Sequence, residues 1–329
     1  MAKRRAKLSA AFSTSSGKYF VGDVVKLLRT GALKRYEGKV QLIVTSPPFP
    51  LNLKKSYGNL TGDSYLKWFT ELAPLLTKLL KPTGSVVIEI GNAWESSRPV
   101  QSLLPLKALI GFLESKGSNL RLCQEFICYN PSRLPSPAAW VTTRRIRAVD
   151  SYTHIWWMAK NNFPKANNRR VLRPYSKKMQ ALLKTGKFNS GERPSHHWIS
   201  ETAFLKDCGG SISHNLLEMD PLDPDREVRL PNAFSFSNTS SNDYFSRECK
   251  KRKITPHPAR MPMGLAAFFV QFLTTSGDLV FDPFGGTNTT GYVAERLRRK
   301  WLTTEISRSY LSQAKLRFTD PALKKRKKK

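Results

Sequence analysis

The sequence predicts an α/β domain interrupted by an irregular, basic insert, and three observations carry that prediction. Apolar runs of strand length alternate with helical spacing from Lys18 to about Lys160. The same alternation returns at His257 and continues to about Phe318. Between them, from Asn161 to about Pro256, it dissolves into Asn, Ser, Pro and basic residues. From Asn161 to Ser200 there are nine Lys or Arg and a single Glu. Five regions follow: a basic arm (1–17), a first sheet half (18–160), the insert (161–256), a second sheet half (257–318) and a basic tail (319–329).

Taken in order, Lys39 to Thr45 (KVQLIVT) reads as a strand that ends at a proline pair. Asp63 to Leu80 carries apolar residues at helical spacing, with Asp63 placed as the N-cap. Ser85 to Ile90 (SVVIEI) and Thr153 to Met158 (THIWWM) read as buried strands. In the second half a helix is expected over Gly264 to Thr274 and a strand over Asp278 to Phe281. A glycine-rich turn, a helix capped by Thr or Asn, and a strand over Trp301 to Ile306 follow. No solenoid repeat is present.

Charge narrows the function. Lys and Arg number 55 against 24 Asp and Glu, a formal net charge of +31. That surplus points to a polyanionic partner, nucleic acid first and an acidic membrane surface as runner-up. The longest apolar stretch, Gly264 to Leu273, is too short to span a bilayer, so no membrane-spanning segment is expected. The first 18 residues hold five basic and no acidic residues without a secretory apolar core, and read as a disordered arm. Lys324 to Lys329 are all basic. In a eukaryotic host such a tail reads as a nuclear import signal, and in a bacterium as a phosphate-seeking tether of an intracellular, DNA-associated protein. The four cysteines show no CxxC spacing, and His196 and His197 lack a matching ligand set, so no metal and no disulfide framework are expected.

Two motifs carry chemistry. In Asp278 to Gly291 (DLVFDPFGGTNTTG) a strand runs into Gly285 and Gly286 and then into a helix. Glycines there admit a ligand to the backbone, and the helix start supplies unpaired N–H groups. Glu305 lies twenty-three residues beyond Asp282 at the next strand end, where nucleoside-binding sheets place an acid on the ribose hydroxyls. The spacing is not GxGxxG, which argues against a dinucleotide site. Far upstream, Thr45-Ser46-Pro47-Pro48-Phe49 follows a strand, so it emerges where α/β sheets bind ligands. The two prolines stiffen the turn, and Phe49 offers a flat face for a base.

Together these segments resemble the DNA amino-methyltransferases, in which a DPFxGxxTT segment binds S-adenosylmethionine and an (S/N/D)PP(Y/F) segment holds the target base. SPPF resembles the N4-cytosine branch, and its position ahead of the cofactor turn resembles the permuted β-group, in particular the PvuII-type modification methylases. KKSYGN at Lys54 to Asn59, NPSRLPSP at Asn130 to Pro137 and HPARMP at His257 to Pro262 belong to the same resemblance. It implies a Rossmann-like S-adenosyl-L-methionine-dependent methyltransferase sheet with the basic insert as target-recognition region. Carried over, Asp23 would meet the cofactor's adenine and Glu305 its ribose. Asp282, Pro283, Phe284, Gly285, Gly286, Thr287 and Asn288 would form the cofactor turn. Ser46, Pro47, Pro48, Phe49 and Glu89 would surround the target base. Lys54 and Lys55, with Arg144, Arg145, Arg147, Arg169, Arg170 and Arg173, would contact DNA.

The chemistry asks for such groups. The lone pair of cytosine's exocyclic amine is delocalised into the ring, so the nitrogen is a poor nucleophile. Hydrogen-bond acceptance by the Ser46 hydroxyl and the Pro47 carbonyl would draw it toward tetrahedral geometry at near-attack distance. A stacked base cannot reach the site, so it must be flipped out. C5 methylation would need a Cys after Pro, and the residues before the four cysteines are Leu122, Ile127, Asp207 and Glu248. N6-adenine methylation, RNA methylation and an inactive DNA-binding module on the same fold are the competing readings.

Overall fold

The computed structural model of the protein describes residues 9–50, 59–218, 244–255 and 260–325. Lys54, Lys55, His257 and the end of the basic tail lie outside the described residues. The first half runs β1 (Phe12–Ser13), β2 (Gly17–Val21), α1 (Val24–Arg29), β3 (Val40–Thr45), α2 (Gly62–Thr77), β4 (Leu80–Gly91), α3 (Leu104–Glu114), β5 (Arg121–Tyr129) and β6 (Tyr152–Ala159). The insert holds α4 (Lys177–Thr185), β7 (Gly191–Glu192), β8 (Trp198–Ile199), β9 (Leu216–Glu218) and α5 (Tyr244–Lys251). The second half runs α6 (Met263–Leu273), β10 (Leu279–Asp282), α7 (Thr289–Arg296), β11 (Lys300–Glu305), α8 (Leu311–Arg317) and α9 (Pro321–Lys325).

One nine-stranded sheet has the order β1-β2-β11-β10-β3-β4-β6-β5-β9. The two sequence halves therefore interleave, with β10 and β11 slotted between β2 and β3. From β2 through β4 every neighbouring pair is parallel, and β6 runs antiparallel to β4 and β5. The carboxyl ends of β2, β11, β10, β3, β4 and β5 thus open on one edge.

The core lies on both faces. Leu42 and Val44 of β3 pack toward α6 and α7, while Ile43 faces α2 and α3 with Val86, Ile88 and Phe281. Every residue of β3 is buried, as a central parallel strand requires. Complete burial of each Val, Leu or Ile side chain in it contributes roughly 1.5–3 kcal/mol.

The amino edge of the sheet is closed by charge. Asp278 accepts from Lys165 at 2.6 Å and Lys81 at 3.0 Å. Burial pushes its carboxyl up, but hydrogen bonds from Lys165, the Thr275 N–H and Lys81 outweigh it and hold it at about 2. Beside it, Arg170 donates to the carbonyls of Thr274 and Phe272 at 2.6 and 3.1 Å, and Arg299 donates to Thr274 O at 2.8 Å. Two guanidinium groups thereby satisfy the terminal carbonyls of α6 and complement its dipole.

Several expectations are corrected here. Thr61, not Asp63, is the N-cap residue of α2, and Asp63 sits in the first turn, where its charge suits the helix dipole. Arg170 is a strut of the frame rather than a DNA contact, and Arg169 shares its short 3₁₀ turn at the amino edge. The insert does not begin at a structural break, because Val171 and Leu172 are buried against the core. Nor is it wholly irregular. Helix α4 is capped by Ser176 at its start and by left-handed Gly186 at its end, and β9 adds to β5 as a parallel edge strand.

Candidate active site

The site forms where β3 and β10 end side by side. Thr45, the last residue of β3, donates from Oγ1 to Asp282 Oδ1 at 2.7 Å. That bond joins the SPPF turn to the glycine-rich turn across 237 residues of sequence. Asp282 also accepts from the Phe284 N–H at 3.1 Å and from Thr290 Oγ1 at 2.7 Å. It ties β3, the turn and α7 together, and burial raises its pKa against those three donors. Asp282 therefore builds the turn and also contributes to the cleft wall.

The turn itself is pinned at one residue. Gly286 has φ +48°, its N–H donates to Glu305 Oε2 at 2.9 Å, and its carbonyl accepts from the Tyr19 hydroxyl at 2.8 Å. A Cβ there would meet no atom within 4 Å, so it would project into open cleft. Glu305 holds the Ser307 N–H on its other oxygen at 2.8 Å, and burial raises its pKa.

Two hollows of about 120 and 140 Å³ adjoin here, sharing Pro48, Phe284 and Ile306 in their walls. The first is lined by Ser46, Pro47, Phe49, Gly285, Gly286, Thr287 and Glu305, together with Arg260, Met261 and Tyr310. The second is lined by Gly22, Asp23, Leu60, Trp68 and Pro283. Asp23 caps α1 by accepting from the Lys26 N–H, which fixes its carboxylate at the rim. A flat apolar slot with an acid at its rim suits an adenine, and a second acid beside exposed backbone suits a ribose. The residues present fit an adenosyl cofactor.

Asn288 departs from expectation. It is fully buried in left-handed conformation, and its Oδ1 accepts from Thr303 Oγ1 at 2.7 Å. It shapes the turn from beneath and does not line the cleft. Thr287 lines it, held from behind by Arg317 at 2.9 Å through its carbonyl.

Opposite the glycine turn, Glu89 near the end of β4 is buried. It accepts from Thr153 Oγ1 at 3.1 Å and from the Ser46 hydroxyl. Burial raises its pKa, opposed by those two hydrogen bonds and by the charge of Arg133. Because Ser46 gives its hydrogen to Glu89, its oxygen lone pairs are left for another donor. Phe49 reaches the site only because Gly91 lacks a side chain, since a Cβ there would lie 2.7 Å from the ring.

The proposed DNA-contacting arginines divide. Arg144 and Arg145 are exposed on the β5–β6 loop at the carboxyl edge, with Arg144 4.7 Å over the Trp140 ring. Arg147 is anchored by the Trp94 ring at 3.4 Å and the Pro99 carbonyl at 2.8 Å. Arg173 bridges to Ser211 through its backbone. Among the described residues no cluster of His, Cys, Asp or Glu has a metal-binding arrangement. None of their helices is long and apolar enough to cross a membrane. Sequence reasoning missed Tyr19, Trp68, Thr153 and Ile306. Only Ile306, directly after Glu305, carried a positional signal.

A parallel sheet whose carboxyl edge pairs an adenosyl-type cleft with a Ser–Glu couple defines an α/β methyltransferase. The family model described as DNA methylase matches residues 40–316. The Type II methyltransferase M.PvuII of Proteus hauseri is 39% identical over 312 residues, covering 94% of this chain and 86% of that one. Among solved structures, the PvuII DNA methyltransferase (cytosine-N4-specific) superposes with a TM-score of 0.70 at 34% identity, covering 94% of this chain and 89% of that one. A protein of Thermus thermophilus solved in complex with S-adenosyl-L-methionine shares the fold at 17% identity and a TM-score of 0.53, with 93% of each chain covered. The chain belongs to the DNA methylase family.

Proposed function

We propose that this enzyme methylates the exocyclic N4 of cytosine at a specific site in double-stranded DNA, with S-adenosyl-L-methionine as methyl donor. The reading is carried by the SPPF turn and the glycine turn sharing one cleft wall, with Ser46 facing Glu305 and the buried Glu89 behind Ser46. With its hydrogen on Glu89, Ser46 turns acceptor lone pairs to the cleft, where an amine with two hydrogens can donate. That donation localises the amine lone pair, which is what a delocalised nitrogen needs to attack. The bound cofactor supplies the electrophilic methyl group. Asp23 and Glu305 would hold its nucleoside, and Gly286 leaves space beside the turn.

The methylated amine must lose a proton. Ser46 passes its own hydrogen to Glu89 as it takes that proton, and burial makes Glu89 a better acceptor than an exposed carboxylate. Thr153 fixes the carboxylate from the far side. The short hydroxyl at the first position of SPPF and the likeness to a cytosine-N4-specific enzyme favour cytosine over adenine. The basic insert, together with Arg144 and Arg145 of the β5–β6 loop at the carboxyl edge, supports target recognition. The basic tail supplies nonspecific attraction to phosphates.

The test is Ser46→Ala. Cofactor affinity should stay within about twofold while single-turnover methylation of duplex DNA falls about 10²-fold or more, since the lost acceptor acts in the transition state. Near-normal turnover would remove Ser46 from the mechanism.

A further inference from the structure

Flipping a base leaves a gap one base wide in the duplex. Proteins that unstack DNA commonly fill such a gap with an apolar side chain. A suitable side chain must be apolar and already exposed, beside the catalytic carboxylate, and held on a stiff support. We propose that Leu134, on the loop joining β5 to β6, is the wedge that enters the duplex as the target cytosine leaves it. The proposal rests on the carboxyl edge of the sheet being the face that receives the duplex.

Leu134 is 81% exposed. A single exposed leucine needs no explanation in itself, so its position and support decide the matter. The base of the loop is closed by the Asn130 N–H on Ser151 O at 2.7 Å and the Arg133 N–H on Asn130 O at 3.2 Å. The Ser132 N–H donates to Asn130 Oδ1 at 3.1 Å, and Arg133 Nη1 donates to Tyr152 O at 3.1 Å. Pro135 then restricts the Leu134 backbone to extended conformations. The side chain is thus presented on a braced loop.

The same bracing puts it beside the chemistry. Arg133, its immediate neighbour, lies close enough for its charge to act on Glu89 and on Cys128. Tyr152, which Arg133 holds, directly precedes Thr153, the donor to Glu89. Arg144 and Arg145, further along the loop, supply cations for flanking phosphates. Phe163 is still more exposed, at 86%, but follows β6 at the amino edge. It cannot reach a base bound at Ser46, which makes it the natural control.

The experiment uses the full chain and duplexes carrying its mapped target sequence. In one duplex the target cytosine faces guanine, in a second it faces an abasic site, and in a third pyrrolocytosine replaces it as a fluorescent reporter of unstacking. Leu134→Ala should slow single-turnover methylation of the matched duplex about tenfold or more and suppress the fluorescence rise. It should approach wild type on the abasic duplex, where the partner no longer competes for the base. Leu134→Met should restore most of the matched-duplex rate, and Phe163→Ala should behave as wild type. Equal losses on both duplexes, or no loss on either, would overturn the wedge. A wild-type protein that neither binds nor unstacks its mapped site would overturn the duplex-facing edge itself.

Discussion

At the scale of single residues, the proposed mechanism makes Glu89 the group that decides how the reaction responds to pH. Its carboxylate must be ionised to take the Ser46 hydrogen, so activity falls as pH falls through its pKa. Burial raises that pKa, so the acid limb of the kcat profile should lie above the ordinary glutamate value of about 4.3. Glu89→Gln should lower kcat and abolish that limb. A limb that survives in the variant belongs to another group. On the cofactor side the signature reverses. Glu305→Ala and Asp23→Ala should each weaken S-adenosylmethionine binding by about 1.5–3 kcal/mol, the worth of hydrogen bonds to charged groups. Calorimetry with unchanged affinity in both would remove the cofactor from this cleft. Ser46, Glu305 and Glu89 stood out from motif and strand-end position. Asn288 did not read correctly, because nothing in TNTT distinguishes a residue that faces the ligand from one that faces Thr303. Thr153 was invisible, since it reaches Glu89 only through the antiparallel register of β6 on β4.

At the scale of elements, the central strands were legible because burial on both faces forces continuous apolar runs, as in Val40–Thr45. The insert was illegible for the opposite reason. Helix α4 buries none of its residues, and β7, β8 and β9 are two or three residues long, so neither periodicity had enough length to show. Asp278 links the scales, because it draws Lys81 at the start of β4 and Lys165 after β6 onto the start of β10. Its folded pKa of about 2 lies below the ordinary 3.8, so its contribution is complete above the unfolded value and is lost as pH falls toward 2. Asp278→Asn should cost about 1–2 kcal/mol in urea unfolding at neutral pH and converge on wild type near pH 2. A difference that is the same at both pH values would mean that the carboxylate's charge is not what stabilises the edge.

At the scale of the whole molecule, interleaving is what makes the enzyme. The SPPF turn and the glycine turn lie at opposite ends of the sequence and meet only because β10 inserts beside β3. The Thr45–Asp282 bond then joins the SPPF turn and the glycine turn into one wall. The charge of +31 supplies long-range attraction to a polyanion such as DNA. Sequence alone located both turns, the strands that carry them and the family likeness, but not that those two strands are neighbours in the sheet. The most direct test is nucleoside mass spectrometry of DNA from cells expressing the wild-type chain and the Ser46→Ala variant. N4-methylcytosine should appear with the wild type and be nearly absent with the variant. A spectrum dominated by N6-methyladenine, or one in which the variant's N4-methylcytosine matches the wild type's, would contradict the assignment of this site to cytosine N4.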